Sequence, residues 1–168
     1  LLADRITAAM SRARRHGPAG AVLLIDLDEF KPVNDRHGHA TGDALLIAVG
    51  RRLVECTRPV DTVARLGGDE FVVLLDGVTT AHDVLAVAGR IRARLAEPVD
   101  VDGRLVSATA SIGAVLWADG HDRDSLLDDA DHAMYRAKAA GGDRVVLADG
   151  PAAATAPGPA SRQPQTAS

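Results

Sequence analysis

Arg65-Leu66-Gly67-Gly68-Asp69-Glu70-Phe71 lies between two short apolar stretches, Thr62 to Leu66 and Phe71 to Leu75. The pattern reads as strand, two-glycine turn, strand. Paired glycines let the backbone take the positive φ that a tight hairpin needs. Two carboxylates, Asp69 and Glu70, follow at the mouth of the turn. Adjacent anions repel, and the usual reason to place them there is a hard cation such as magnesium, with the phosphates it carries.

Upstream, Ala19 to Asp26 is an apolar run ending in an acid, the pattern of a buried central strand whose C-terminal end opens onto a site. Alternation along a strand puts Asp26 and Asp28 on one face. If this strand lies beside the hairpin, Asp26 approaches Asp69 and Glu70, and three or four carboxylates meet in one small volume. Two magnesium ions about 3.5–4 Å apart would neutralise them and clamp a phosphoryl group. For either cluster alone, the competing reading is solvated surface at a strand end.

Between the two clusters, Phe30 to Asp35 is predicted as a short helix and Arg36 to Thr41 as a polar, glycine-containing loop. Thr41 is placed to cap the next helix, whose Leu45, Val49 and Leu53 keep helical spacing and which contains Cys56. The segment supplies Lys31, Asn34, His39 and Asp43. Guanine carries a ring N–H beside an exocyclic amine, adjacent donors that a carboxylate can accept; adenine lacks the pair. The alternative is that Asn34, His37 and Gly38 only form the loop and Asp43 supports a helix N-terminus.

Leu1 to Arg15 has the apolar spacing of an amphipathic helix, with Leu2, Ile6 and Met10 on one face. Further on, Val84 to Leu95 forms a helical stripe, Asp102-Gly103 is a hairpin turn, and Thr109 to Leu116 is a strand. Leu127, Ala130, Met134 and Ala137 mark a last helix ended by Gly141-Gly142, and Arg144 to Leu147 is a short strand. These elements predict one α/β (α+β) domain over residues 1–148, with a mixed, mainly antiparallel central sheet flanked by helices. From Asp149 to Ser168 the Ala, Pro, Ser, Thr and Gln composition predicts a disordered tail.

Composition narrows the classes. The chain has 168 residues and a formal net charge of −4, enough for one domain with a core and too acidic for a general nucleic-acid binder. The single cysteine, Cys56, excludes an internal disulfide and fits a reducing cytoplasm. Ala19 to Ile25 is too short to cross a bilayer, and no signal peptide is visible, so no direct membrane insertion is expected. The chain starts at Leu1, already in a helical pattern, which reads as a piece of a longer protein that could itself be membrane-anchored.

Five motifs in order carry a resemblance. They are Asp26-Leu27-Asp28-Glu29-Phe30-Lys31, then Asn34-Asp35 with Gly38-His39 and Gly42-Asp43, then Arg65 to Phe71, Ser111-Ile112-Gly113, and Ala130-Asp131-His132-Ala133-Met134-Tyr135-Arg136-Ala137-Lys138. Together they resemble the GGDEF domain of diguanylate cyclases, enzymes that condense two GTP into cyclic di-GMP with release of pyrophosphate. The resemblance implies a palm-like sheet as in nucleotide cyclases. It implies two Mg2+ per site (or Mn2+) on Asp26, Asp69 and the Leu27 carbonyl, with Glu70 beside them, and Asp69 as the general base. Asn34 and Asp43 would contact guanine, and His39 and Phe30 would line the substrate site. Lys31 and Lys138 would reach the phosphates, for which Gly67 and Gly68 leave room. A homodimer in the active state and an upstream sensory domain are implied partners.

Arg58-Pro59-Val60-Asp61 resembles the family's R-x-x-D motif for inhibition by the product, with Arg90 as a second arginine. The alternative is a helix-ending arginine and a loop aspartate. The chain departs from the family pattern at Gly142, where a phosphate-reaching arginine often stands and for which Arg144 is the candidate replacement. It also lacks the usual lead-in, and carries Asp69 where many members have Glu. The leading expectation is an active cyclase; the alternatives are a catalytically silent nucleotide receptor and a generic metal-binding module.

Overall fold

The computed structural model describes residues 6–8, 11, 20–117 and 121–149. Of the helix expected over Leu1 to Arg15, only residues 6–8 and 11 fall in that set; they are helical, with Ile6 buried. The expected tail lies outside the described residues beyond Asp149.

The described chain runs β1 (Gly20–Leu27), α1 (Phe30–His37), α2 (His39–Glu55), β2 (Thr62–Gly67), β3 (Glu70–Asp76), α3 (Ala81–Leu95), β4 (Val99–Val101), β5 (Arg104–Val106), β6 (Ala110–Leu116), α4 (Arg123–Ala139) and β7 (Arg144–Leu147). Five strands form one sheet in the order β2-β3-β1-β6-β7, and β4 pairs with β5 separately. In the large sheet β1 is antiparallel to both neighbours and β2 is antiparallel to β3; only β6 and β7 are parallel. This is the mixed, mainly antiparallel sheet expected.

β1 is central and buried along its whole length, which is why it reads as unbroken apolar sequence. Its alternate side chains feed two cores. Ala21, Leu23, Ile25 and Leu27 join Leu45, Val49 and Leu53 of α2 and Val84, Ala88 and Ile91 of α3. Val22 and Leu24 join Ile6 and Leu126, Ala130 and Met134 of α4. Asp26 continues this second series, so its side chain emerges on the α4 side of the sheet.

Caps fix two of the helices. The Thr80 hydroxyl accepts from Asp83 N–H at 3.1 Å at the start of α3, and Asp122 and Ser125 form a reciprocal capping box on α4. The expected polar loop from Arg36 to Thr41 is corrected. α1 runs on to His37, α2 begins at His39, and Gly38 alone, at φ 86°, separates them. Thr41 is therefore inside α2 and caps nothing; its hydroxyl donates to the His37 carbonyl at 3.0 Å. A single residue can turn the chain because glycine adopts positive φ at little cost. Cys56 stands at the C-cap just past α2, not within it.

Candidate active site

The expected two-glycine turn is corrected: Gly67 ends β2 and pairs with Glu70, and Gly68-Asp69 form the turn to β3, with a register shift between Arg65 and Gly67 that leaves Leu66 exposed. Gly68 takes φ 53°. Arg65 bolts the turn from within, its Nε and Nη2 both donating to the Gly68 carbonyl at 2.9 and 2.6 Å. Sequence reading gave Arg65 no role, although it opens the motif. The turn carries Asp69 to the end of β1, where Leu27 N–H donates to the Asp69 carbonyl at 3.3 Å.

Across the pairing of β1 with β3, Asp26 stands directly opposite Glu70, and opposite residues of an antiparallel pair share a face. Asp26 is buried, and its Oδ2 lies 2.7 Å from the Lys138 ammonium. Burial pushes the Asp26 carboxyl above the usual carboxylate range. The hydrogen bond and charge of Lys138 pull it back, and Asp69 and Asp28 push it further up.

The expected meeting of three or four carboxylates is corrected. Among the described residues no three His, Cys, Asp or Glu side chains are grouped so as to hold a metal ion. One reason is Asp28. The strand ends at Leu27, and the Asp28 carboxylate is fully engaged elsewhere. Ser111 Oγ donates to Oδ1 at 2.7 Å, and Thr109 Oγ1 and Asp143 N–H donate to Oδ2 at 2.7 and 2.8 Å. Asp28 thus ties β1, β6 and the approach to β7 together. Asp26 is paired instead with the Lys138 ammonium. The remaining donor set, Asp26, Asp69, Glu70 and the Leu27 carbonyl, is all oxygen and anionic, the chemistry that a hard divalent ion takes.

A cavity of about 850 Å3 opens at this sheet end, lined by Asp26, Leu27, Asp28 and Lys138 together with Arg36 and His37 of α1 and the 105–109 segment. Asn34 sits where α1 crosses α2. A Cβ on the buried Gly42 would stand 1.8 Å from Asn34 Oδ1 and 3.2 Å from the Phe30 ring, so glycine is what admits the amide. Asn34 Oδ1 is buried and has no hydrogen-bond partner, a costly state for an acceptor unless a ligand donor completes it. Lys31, His39 and Asp43 are exposed on the same two helices.

Gly142 lines the cavity, at φ 72° and 3.0 Å, measured from a notional Cβ, from the Asp28 carboxylate. A side chain there would collide with Asp28. Arg144 folds back over this turn, its Nε donating to the Gly142 carbonyl at 3.0 Å.

A second cavity, about 320 Å3, is lined by Arg58, Asp61 and Arg90 with Leu75, Val78 and Asp83. The three residues singled out in sequence therefore meet. Asp61 holds its loop in place: Oδ2 accepts from Arg58 N–H at 2.7 Å and Oδ1 from Asp76 N–H at 3.1 Å. Arg90 donates to the Cys56 carbonyl at 2.9 Å.

Residues 1–144 match the family model described as "Diguanylate cyclase, GGDEF domain". The chain is 45% identical over 139 residues to the bifunctional diguanylate cyclase/cyclic di-GMP phosphodiesterase MucR of Pseudomonas aeruginosa, covering 82% of this chain and 20% of that protein. The crystal structure of the GGDEF domain of TpbB from P. aeruginosa matches at TM-score 0.84 and 41% identity, covering 88% of this chain and 93% of that one. The GGDEF domain of DgcB from Caulobacter crescentus, solved in complex with c-di-GMP, matches at TM-score 0.80 and 27% identity over 86% of both chains. The chain spans 17–31% of the length of the first curated relatives it matches.

Proposed function

Since this chain belongs to the GGDEF domain family of diguanylate cyclases, we propose that it condenses two GTP into cyclic di-GMP and releases pyrophosphate. The observation that carries this reading is the buried Asp26, opposite Glu70 and 2.7 Å from Lys138, at the mouth of a cavity of nucleotide size.

In this reading the Asn34 side-chain amide and the Asp43 carboxylate meet the guanine edge, with His39 and Phe30 alongside. Lys31 and Lys138 hold the phosphates. α1 begins without a side-chain cap, leaving its first N–H groups open to an anion. Asp26, Asp69, Glu70 and the Leu27 carbonyl would hold Mg2+ or Mn2+, two ions per site, which supplies charge neutralisation at the reacting phosphoryl group. Asp69 takes the proton as the ribose 3′-hydroxyl attacks the α-phosphorus, and pyrophosphate departs. Lys138 leaves Asp26 for the phosphate chain when the nucleotide arrives, an exchange of one anionic partner for another.

Each chain holds one nucleotide, so ring closure takes two chains face to face, each presenting its nucleotide to the other. Domain 1–148 is the catalytic unit, working in the cytoplasm under an upstream sensory domain of a longer parent protein. No helix among the described residues is long and apolar enough to cross a membrane.

Incubation with GTP and Mg2+, followed by chromatography, is expected to yield cyclic di-GMP. Tight GTP binding without product would instead identify a silent receptor. Asp43→Ala is expected to reduce the preference for GTP over ATP by roughly tenfold or more, because the discriminating acceptor is gone; an unchanged kcat/KM ratio for the two nucleotides refutes its contact with guanine.

The second cavity supports product inhibition. Arg58 and Arg90 offer planar, always-charged donors for the phosphates and a stacking surface for a base, while Asp61 preorganises the loop and offers its free lone pairs to guanine. Arg58→Ala is expected to weaken cyclic di-GMP binding at least tenfold by calorimetry and to release inhibition in parallel. Unchanged affinity would return Arg58 to the role of a helix-ending residue.

A further inference from the structure

The backbone of Asp69 is held on both sides. The peptide group before it carries the Gly68 carbonyl, and that oxygen accepts from Arg65 Nε at 2.9 Å and from Nη2 at 2.6 Å. The peptide group after it carries the Asp69 carbonyl, which accepts from Leu27 N–H at 3.3 Å. A peptide group is planar, so the two soft torsions of a residue are the angles between the planes that flank it. With both planes held, the Cα–Cβ bond of Asp69 has one direction.

The two anchors come from different strands. Leu27 N–H belongs to the end of β1, next to Asp26 and to the Leu27 carbonyl. Arg65 belongs to β2 and stands opposite the buried Phe71 in the pairing with β3. Opposite residues share a face, so Arg65 leaves the sheet on the Phe71 side, away from the Asp26 and Glu70 carboxylates. The register shift at Leu66 bends β2, and Gly68, at φ 53°, takes the turn conformation at little cost. The guanidinium folds back over that turn. Its donors lie in one rigid, always-charged plane, so two bonds on a single oxygen hold the peptide against rocking about either.

We propose that Arg65 is a positioning residue for Asp69: by clamping the Gly68 carbonyl it holds the Asp69 carboxylate at the end of β1, beside Asp26. The inference rests on Asp69 acting as base and cation ligand, as proposed above, and names what keeps it in place. A reacting group misplaced by about 1 Å costs on the order of a hundredfold in rate. The nucleotide's own contacts, on α1, α2 and α4, do not pass through Arg65. Loss of the clamp therefore falls on kcat and spares KM.

Two variants test this. Arg65→Met keeps the aliphatic stem and removes both donors. Arg65→Gln returns one neutral N–H donor, as many bonds from the backbone as Arg65 Nε. Arg65 is exposed, so both are expected to fold, with thermal midpoints within about 2 °C of the natural chain. Amide relaxation is measured by nuclear magnetic resonance on the nucleotide-free chain. Order parameters at Asp69 and Glu70 are expected near about 0.85 in the natural chain and below about 0.6 in Arg65→Met, with Arg65→Gln between. In turnover, Arg65→Met is expected to lower kcat by roughly thirtyfold, with KM for GTP changed by less than about twofold. Arg65→Gln is expected to recover about threefold of that loss, the share of one neutral hydrogen bond.

Rigid amides at Asp69 and Glu70 in Arg65→Met overturn the proposal, because the clamp then fixes nothing. Unchanged kcat with mobile amides overturns it too, as does a loss that appears in KM, which would place Arg65 on the nucleotide. A natural chain that makes no cyclic di-GMP would overturn the proposed function and this role with it. The relaxation data, taken without nucleotide, separate that failure from failure of the clamp.

Discussion

Asp26→Asn is expected to lower cyclase activity by roughly a thousandfold or more while raising the thermal midpoint of the chain. The two effects share one cause. Asp26 is 6% exposed, on the face of β1 that looks toward α4, with Glu70 opposite. Burial holds its carboxyl above the usual carboxylate range despite Lys138 at 2.7 Å. A carboxyl whose pKa is raised by folding is less comfortable ionised in the native chain than in the unfolded one, so at neutral pH its charge opposes folding. An amide of the same shape removes the charge, keeps an acceptor for Lys138, and ends the repulsion from Asp69 and Asp28. A rise of about 2–4 °C, the response of a domain this size to about 1 kcal/mol, is the expected reading by calorimetry or circular dichroism. The gain is full above the raised folded pKa, fades as pH falls through it, and is gone below about 4, the unperturbed carboxylate value, where Asp26 is protonated in both states. A midpoint that falls at neutral pH would mean that the ion pair with Lys138 outweighs desolvation. Retained turnover would remove Asp26 from the cation-binding set. Abolished turnover is likewise expected of Asp69→Ala, and its retention would remove Asp69 in the same way.

Gly113→Ala is expected to be the most destabilising single methyl addition in the described chain. Gly113 lies on β6 opposite Leu24 of β1 and faces α4. A Cβ there would stand 2.1 Å from the Ala130 carbonyl oxygen and 2.4 Å from the Met134 backbone nitrogen. These are backbone atoms in a helix fixed by a capping box at its start and by the buried Leu126, Ala130 and Met134, so no rotamer change relieves the collision. α4 would have to lift from the sheet by about an ångström or more. Overpacking of this kind costs about 3 kcal/mol at the upper end of its usual range, a fall of about 10 °C in a domain of this size. Because α4 also carries Lys138, nucleotide affinity is expected to fall with stability. A midpoint within about 2 °C of the natural chain would show that β6 and α4 are not in close backbone contact.

Much of this is legible in the residues. The unbroken apolar run before Asp26 marks the central strand because both its faces are covered. Gly68 and Asp102-Gly103 mark hairpins because left-handed φ has few tenants, and they take φ 53°, 51° and 78°; Gly67 belongs to β2. Asn34, Gly42 and Phe30 are legible as a group only through resemblance; their close fit, with Gly42 making room for the amide, needs coordinates. The helix boundary at Gly38 escapes a sequence reading because polar residues from Arg36 to Thr41 look like a loop, whereas on an exposed helix corner they are solvated helix surface.

By itself the sequence determined where strands begin and end, where the chain reverses, and which acids stand at those ends, since φ preferences and apolar periodicity are local properties. Tertiary structure decided what each acid meets. Asp26 and Asp28 are two residues apart and look alike on paper. Yet Asp28 is spent on donors 81, 83 and 115 residues away, while Asp26 faces a cavity beside Glu70 and the Lys138 ammonium. Hydrogen bonding and burial depend on which segments the sheet order brings alongside, and no local pattern encodes that.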